Sequence, residues 1–307
     1  MHLRNRLIIF QRMRTIRLII SIDGGGIRGI LPLKIIDYID EQIRLVNVKC
    51  SFNSLTDMVA GTSTGALISA ALILEDDKGT PRFTANDLLI LYSNRGPQIF
   101  SKDRPTNESP FKVVLESSFG DMKLKDLQKH FLFVSYDERG EQPFVFSDTE
   151  CHYRDVNVVK ALMASCAIRP HFQPIELNGK LLSDGIVTAK NPAEIAYRHA
   201  KLNFPDDILV LLSFGTGALP LNVWDEVEHE VKRVHEKLEN LAINNWQFIY
   251  HRFEPELKRA KVDMDDTSAQ NINALLDAAD QYIQANKGRI DKAVQKLMKL
   301  KKQVGEI

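Results

Sequence analysis

Residues 56–75 read TDMVAGTSTGALISAALILE, and the pentapeptide Gly61-Thr62-Ser63-Thr64-Gly65 within them decides the fold. The residues before it, 57–60, predict a buried strand, and residues 66–75 predict a largely apolar helix. A GxSxG sequence between a strand and a helix predicts a sharp turn that presents Ser63 at the edge of the sheet. The small flanking residues let the two backbones cross closely, and the N-terminus of the helix favours an anion there. Alone, the pattern is equally typical of a tight turn with a capping serine.

A second glycine-rich loop, Asp23-Gly24-Gly25-Gly26-Ile27-Arg28-Gly29, stands in the same context. It follows a predicted isoleucine-rich strand over 17–22, and a helix is predicted from Pro32 onwards. Three successive glycines allow backbone N–H groups to converge on one point, as an oxyanion hole requires. The side chain of Arg28 would either fix this loop or attract an anionic head group.

The same loop also satisfies the GxGxxG pattern of dinucleotide-binding proteins, through Gly24, Gly26 and Gly29. That alternative requires an acidic residue about 20 residues further on, at the tip of the next strand. The nearest acidic residues fall inside the predicted helix instead: Asp37, Asp40 and Glu41. A nucleotide-binding module using Gly24–Gly29 therefore remains an alternative with little support.

A serine nucleophile needs a base, and the chain offers two candidates. Asp184 lies in Leu181-Leu182-Ser183-Asp184-Gly185, where a short strand ends in a turn. An aspartate is a weak base near its reference pKa of about 3.9, and it becomes effective when burial raises that pKa. Among the histidines, His171 is the one in a suitable loop. A Ser-His-Asp esterase using His171 is thus the alternative.

The composition is that of a globular protein, with 44% apolar and 26% charged residues among 307. Forty basic and forty acidic side chains give a formal charge of zero, so a nucleic-acid polymer is not expected as a partner. The three cysteines form neither a CxxC metal motif nor a disulfide framework, which indicates a reducing compartment. No apolar run approaches the ~20 residues that cross a bilayer. We therefore expect a cytoplasmic protein.

Further strands are predicted at 131–136, 144–146 and 208–214, with helical patterns between them, including a charged helix over 223–240 and an apolar stripe over 272–283. Alternating buried strands and helices predict an α/β fold, a three-layer α/β/α sandwich around a mostly parallel central sheet. Residues 16–307 are expected to form a single domain, preceded by an unstructured or non-native basic arm over 1–15. The polar, proline-punctuated residues 96–110 are expected to form a surface excursion or a lid.

The motifs occur in the order found in the patatin-like phospholipases, which this chain resembles from about residue 16 to residue 300. Those motifs are DGGGIRG (23–29), GTSTG (61–65) and Asp184-Gly185. Residues 164–167, 170–174, 212–217 and 250–266 are similar to the family as well. The combination is more specific than any one motif.

The resemblance implies hydrolysis of acyl esters of glycerophospholipids, of the phospholipase A type, without a metal or cofactor. Ser63 would be the acylated nucleophile and Asp184 its base. The oxyanion hole would be built from Gly24, Gly25, Gly26, Ile27 and Arg28. The supporting motif positions are Asp23, Gly29, Gly61, Gly65 and Gly185. One departure is Ile186, which stands where the family has glycine or alanine after Asp-Gly and is expected to reshape the site.

Within the family, the chain resembles the compact bacterial phospholipases that cyclic nucleotides activate in antiphage defence. This resemblance implies a cyclic dinucleotide activator. An enzyme of this type also needs reversible access to a membrane surface. Residues 287–302 combine many basic residues with an apolar stripe, which is typical of a packed terminal helix with a solvated basic face or of a helix lying on anionic lipid.

Overall fold

A computed structural model of the chain describes residues 14–99, 110–218 and 225–307. The strands are β1 (Ile16–Ile22), β2 (Thr56–Thr62), β3 (His130–Asp137), β4 (Gln142–Ser147), β5 (Ile175–Leu177), β6 (Lys180–Asp184), β7 (Ile208–Phe214) and β8 (Phe248–Phe253). The helices are α1 (Ile30–Val46), α2 (Phe52–Leu55), α3 (Thr64–Leu72), α4 (Ala85–Ile99), α5 (Pro110–Phe119), α6 (Val158–Ser165), α7 (Ile186–Ala189), α8 (Ala193–Asn203), α9 (Asp225–Asn244) and α10 (Ala269–Gln303).

The strands form one mixed sheet in the order β5-β6-β3-β2-β1-β7-β8, with β4 paired to β3. Strands β3, β2, β1, β7 and β8 pair in parallel, whereas β4, β5 and β6 join by antiparallel pairing. The predicted α/β fold with a mostly parallel central sheet is thus confirmed. Since parallel strands end at the same edge, the two glycine-rich loops that follow β1 and β2 lie side by side.

Helices cover both faces of the sheet and produce two apolar cores. In β1, Leu18 and Ile20 point into the larger core, which is formed with α1, α3, α4, α6 and α10. Ile19, between them, points into the smaller core under α8 and α9. All three side chains are fully buried. Burial on both faces explains why the central strands read as continuous apolar runs rather than as alternating patterns.

Several predicted boundaries differ from the observed ones. A capping box opens α4, because the Thr84 N–H donates to Asp87 Oδ2 (2.8 Å) and the Asp87 N–H donates to Thr84 Oγ1 (3.1 Å). The expectation of an excursion over 96–110 is wrong for residues 96–99, which continue α4 with Pro97 inside the helix. Residues 100–109 lie outside the described residues, as do 1–13 of the predicted basic arm and 223–224 of the predicted charged helix.

The C-terminal helix α10 packs against the protein along its apolar stripe. Ile290, Val294 and Leu297 are buried in the larger core, whereas Lys292 and Lys296 are exposed. The apolar stripe is therefore used in packing against the core, and these two lysines of the basic face are exposed to solvent. None of the helices in the described parts of the chain combines the length and apolar character needed to cross a bilayer.

Candidate active site

Ser63 occupies a strained turn between β2 and α3. Its φ of 54° and ψ of −125° lie outside the regions that non-glycine residues usually adopt. Such strain persists only where the surrounding structure fixes it, and it is concentrated at functional sites. Ser63 is also the residue that precedes the first turn of α3, and its carbonyl oxygen accepts hydrogen bonds from the Ala66 and Leu67 N–H groups of that helix, at 2.9 and 3.2 Å.

The close crossing of β2 and α3 explains the glycines that flank the turn. A Cβ atom on Gly61 would lie 2.2 Å from the carbonyl carbon of Gly65, and one on Gly65 would lie 2.1 Å from the Ile22 carbonyl oxygen. Neither position tolerates a side chain unless the backbone moves. The prediction that small residues let the backbones cross is confirmed at both positions.

The sheet register brings Asp184 to Ser63. β4 occupies one edge of β3, so β2 and β6 share the other edge. Thr62, the last residue of β2, pairs with Val134, and Asp184, the last residue of β6, pairs with the next residue, Ser135. Two strand ends that are 122 residues apart in the sequence therefore lie at adjacent positions along one edge of β3. The nucleophile candidate Ser63 and the carboxyl of Asp184 are placed next to each other there.

Burial controls the chemistry of Asp184, which is 2% exposed. Desolvation raises the pKa of Asp184 to about 7, against the opposing effects of the Ser63 hydroxyl and of the Ile186 N–H. The Ile186 N–H donates to Oδ1 at 2.9 Å, whereas Oδ2 is buried and has no hydrogen bond of normal length within the described residues. Burial also raises the pKa of the neighbouring Cys166 thiol well above its usual range, so this group stays protonated. A carboxylate with one uncommitted oxygen is thus available to accept a proton beside Ser63.

The glycine loop offers fewer amides than the sequence predicts. Three N–H groups already donate to protein carbonyls: Gly24 to Lys190 (3.0 Å), Ile27 to Met264 (2.9 Å) and Arg28 to Gly25 (3.1 Å). In the described parts of the chain, the N–H groups of Gly25 and Gly26 have no such acceptor. The donors available to an anion are therefore two of the five predicted. Gly26 adopts a φ of 58°, and a Cβ there would lie 2.2 Å from the Met264 carbonyl oxygen, so the loop requires glycine.

Buried polar contacts hold the glycine loop in place. Both oxygens of Asp23, which is fully buried, accept hydrogen bonds from Arg252 on β8, at 3.2 and 2.6 Å. Desolvation raises the pKa of Asp23 to about 6, and the Arg252 guanidinium opposes that shift and stabilises the carboxylate. The Thr216 hydroxyl donates to the Gly24 carbonyl oxygen at 2.6 Å. Asp23 thus fixes the glycine loop to the sheet.

An apolar cavity opens above Ser63. It has a volume of about 40 Å³ and is lined by Gly26, Ser63, Thr64, Leu67, Phe111, Cys166, Ile168, His171, Phe172, Met264 and Asp265. A wider cavity of about 610 Å³ shares four of these residues, and the rest of its lining is apolar, basic and acidic: Ile186, Val187, Val227, Val262, Arg28, Arg169, Lys190, Glu228 and Asp263. The serine thus sits at the base of a narrow apolar pocket that adjoins a wider one with both basic and acidic side chains. Ile186, the departure from the family motif, lines the wider cavity.

His171 lines both cavities. Its Nε2 lies 3.6 Å from Oδ2 of Asp265, so it forms a His–Asp pair at the rim. The Ser63 hydroxyl acts on the pKa values of Asp184 and Cys166. The geometry therefore associates the serine with Asp184 more closely than with His171.

Several contact residues were not assigned roles from the sequence. Ser165, Thr216 and Arg252 fall in stretches noted for family resemblance, yet nothing in their spacing shows that they contact the two loops. Which loop each of these buried side chains contacts becomes visible only in the folded structure. Two predicted motif positions remain. Gly29 immediately precedes α1. Gly185 lies against β3, where a Cβ atom on Gly185 would be 2.6 Å from the Val134 carbonyl oxygen.

Comparison with known proteins agrees with these motifs. The family model described as patatin-like phospholipase matches residues 20–197, more than half of the chain. Patatin-like protein 2 of Arabidopsis thaliana is 30% identical over 207 residues, which cover 58% of this chain and 51% of that protein. Probable inactive patatin-like protein 9 of the same plant is 31% identical over 231 residues, covering 65% of this chain and 60% of that one. The chain thus spans between about half and three-fifths of the length of these relatives.

Among solved structures, human GIVD cytosolic phospholipase A2 is similar to the chain with a TM-score of 0.48 and 11% identity, covering 94% of this chain and 60% of that one. The serine turn, the aspartate turn at residue 184 and most of the connecting sheet fall within the family match, which ends at residue 197. The chain belongs to the patatin-like phospholipase family.

Proposed function

We propose that this chain is a lipid acyl hydrolase that cleaves carboxylic ester bonds of glycerophospholipids through Ser63 and Asp184. Ser63 Oγ attacks the ester carbonyl carbon while Asp184 accepts the hydroxyl proton, and the Gly25 and Gly26 amides hold the oxyanion. Asp184 then protonates the departing glycerol oxygen, which leaves an acyl group on Ser63. Water gives its proton to Asp184 and attacks the acyl carbon. Fatty acid leaves as the proton returns to Ser63.

The observation that carries the proposal is the backbone strain at Ser63 beside a buried carboxylate whose Oδ2 has no hydrogen bond of normal length to any described residue. A capping serine needs neither feature, since ordinary helix caps use extended backbone and contact their own helix. Ser63 makes no capping hydrogen bond from its side chain. The apolar lining of the cavity supports an acyl chain as the group that binds beside it.

One buried basic side chain of the wider cavity, Arg28, supports a phosphate-bearing substrate. Arg28 is 2% exposed, and its Nη1 has no hydrogen-bond partner in the described parts of the chain. Its Nε donates to the Gly25 carbonyl oxygen at 3.4 Å, and the remaining donor at Nη1 is suited to bind a phosphate. Lys190, in the same cavity, is instead paired with Glu228. Arg28 therefore favours a glycerophospholipid over an uncharged glyceride.

A fluorophosphonate lipid analogue should label the protein once, at Ser63, because the activated hydroxyl attacks phosphorus as it would the ester carbon. Peptide mapping by mass spectrometry locates the adduct. In parallel, fatty acid released from phosphatidylglycerol and phosphatidylcholine vesicles is measured and compared with release from a triacylglycerol emulsion. One arm contains a cyclic dinucleotide, the activator class that the sequence resemblance implies.

Labelling elsewhere, or nucleotide binding without labelling, would favour the alternatives instead. Tight binding of a dinucleotide with Ser63 unlabelled would point to a nucleotide-binding module at Gly24–Gly29. A rise in rate with the cyclic dinucleotide would add regulation to the proposed activity. We also propose a cytoplasmic protein that associates reversibly with a membrane surface. The fractions of protein bound to vesicles and free in solution, measured in the same assay, test the reversible association.

The rate of hydrolysis should fall on acidification, with an apparent pKa near that of Asp184, about 7. The proposed base must be ionised, so the active fraction is lost as pH falls through this value. Initial rates at low substrate concentration, measured from about pH 5 to pH 9 with a soluble ester, give the profile. An acid limb that lies near the ordinary aspartate value of about 3.9 would contradict the proposed environment of the base.

A further inference from the structure

The C-terminal end of α6 contacts both halves of the proposed dyad. Ser165, its last residue, accepts a hydrogen bond from the Ser63 N–H, and two residues later the Ala167 carbonyl accepts one from the Asp184 N–H. We propose that Ser165 is a positioning residue that holds Ser63 in its strained turn against the strand that carries Asp184. This inference rests on the proposed function, because its effect is measured on the chemistry of Ser63.

The hydroxyl of Ser165 bridges two backbone groups from distant parts of the chain. Its Oγ accepts from the Ser63 N–H at 3.1 Å and donates to the Val134 carbonyl oxygen at 2.5 Å. Ser165 is fully buried, so bulk water does not reach these groups to replace either hydrogen bond. One hydroxyl therefore bonds to a buried donor and a buried acceptor at once, and its removal takes this partner from both.

Both groups lie where the sheet aligns the dyad. Val134 is the β3 residue that pairs with Thr62, immediately before Ser63, and the next β3 residue pairs with Asp184. Ser165 thus ties the turn to the one stretch of β3 that sets the separation between serine and carboxylate. A bond at this point resists the relaxation of Ser63 towards an ordinary, unstrained φ.

Ser69 provides a matched control on the same helix as the turn. It is also a fully buried serine, and its Oγ donates to the Ala60 carbonyl oxygen of β2 at 3.2 Å. It contacts neither Ser63 nor Asp184 through a hydrogen bond. Alanine at Ser69 removes a buried hydroxyl–carbonyl bond near the site without touching the dyad.

The experiment compares Ser165→Ala and Ser69→Ala with the wild type in kcat, KM, the rate of fluorophosphonate labelling at Ser63 and melting temperature. Both variants should melt at lower temperature. Only Ser165→Ala should lose kcat, by roughly 10- to 100-fold, with KM changed by less than about three-fold, because misplaced reacting groups slow the chemical step rather than binding. The labelling rate should fall by the same factor as kcat.

A kcat of Ser165→Ala within about three-fold of Ser69→Ala, at comparable losses of melting temperature, would overturn the inference and leave a structural role only. Should Ser165→Ala not fold, Ser165→Cys retains a weak donor and acceptor of similar size and is expected to show a smaller loss of kcat at constant KM. Full activity in that variant would also overturn the inference. A wild type that neither hydrolyses lipid nor reacts with the probe would instead overturn the proposed function itself.

Discussion

Replacing Ser63 with alanine should reduce phospholipid hydrolysis by at least about 10⁴-fold, because loss of a nucleophile in a serine hydrolase leaves only binding and oxyanion stabilisation. Fatty acid release from vesicles, measured at enzyme concentrations high enough to detect residual turnover, gives the factor. The Ser63→Ala variant should also no longer be labelled by the fluorophosphonate. The fold should persist, since alanine removes one hydroxyl that makes no capping bond.

The control for this loss is Ser69→Ala, which removes a buried serine hydroxyl from the same helix while leaving the dyad intact. Melting curves of the two variants establish that both are folded. If Ser63→Ala retained hydrolysis near the wild-type rate, another group would have to be the nucleophile. The acyl-enzyme mechanism would then be abandoned.

Replacing Asp184 with asparagine should reduce hydrolysis by at least roughly 10³-fold, because the amide cannot accept the proton of Ser63. The side chain keeps nearly the same shape, and its carbonyl oxygen still accepts the Ile186 N–H. Steady-state rates and the acid limb of the pH profile are measured together, and the limb near pH 7 should disappear from any residual activity.

The same substitution should change stability in a predictable direction. The pKa of Asp184 is raised in the folded protein, so the ionised side chain favours the unfolded chain, and stability falls as pH rises from about 4 towards 7. Asp184→Asn removes this charge, so its melting temperature should exceed that of the wild type above pH 7 and approach it in acid. A base that lowers stability in order to act is typical of functional sites.

His171→Ala separates the two candidate bases. His171 lines the cavity, so some loss of activity is expected, but a much smaller one than from Asp184→Asn. If His171→Ala were as damaging as Ser63→Ala while Asp184→Asn stayed active, a Ser-His-Asp esterase using the His171–Asp265 pair would replace the proposal. The three variants therefore assign the base.

Much of the fold follows from local sequence. Isoleucine-rich β1 and the strand before Ser63 were predicted within two residues, because strands buried on both faces need continuous apolar runs. The GxSxG turn and its helix follow from steric limits, since Gly61 and Gly65 meet other backbone atoms directly. These features depend on residues near each other in the sequence.

The available oxyanion donors depend on distant partners that local sequence does not reveal. Three successive glycines predict a set of converging amides, yet Lys190 and Met264 take two of the five N–H groups and the loop itself takes a third. Residues 96–99 illustrate the same limit: proline and polar residues suggested an excursion, but α4 continues through Pro97. Position along the chain does not show which carbonyls will approach a loop.

The sequence alone therefore determined the strand–turn–helix at Ser63, the glycine loop before α1 and the choice of Asp184 as a candidate base, since each depends on local backbone sterics and side-chain chemistry. Only the tertiary structure decided that β2 and β6 end side by side on one edge of β3 and that Ser165 bonds to the Ser63 backbone. It also decided that Asp184 Oδ2 is buried, with no hydrogen bond of normal length to the part of the chain that the structure describes. Burial and alignment arise from packing between segments far apart in the chain, and these set the pKa and the geometry on which the proposed chemistry depends.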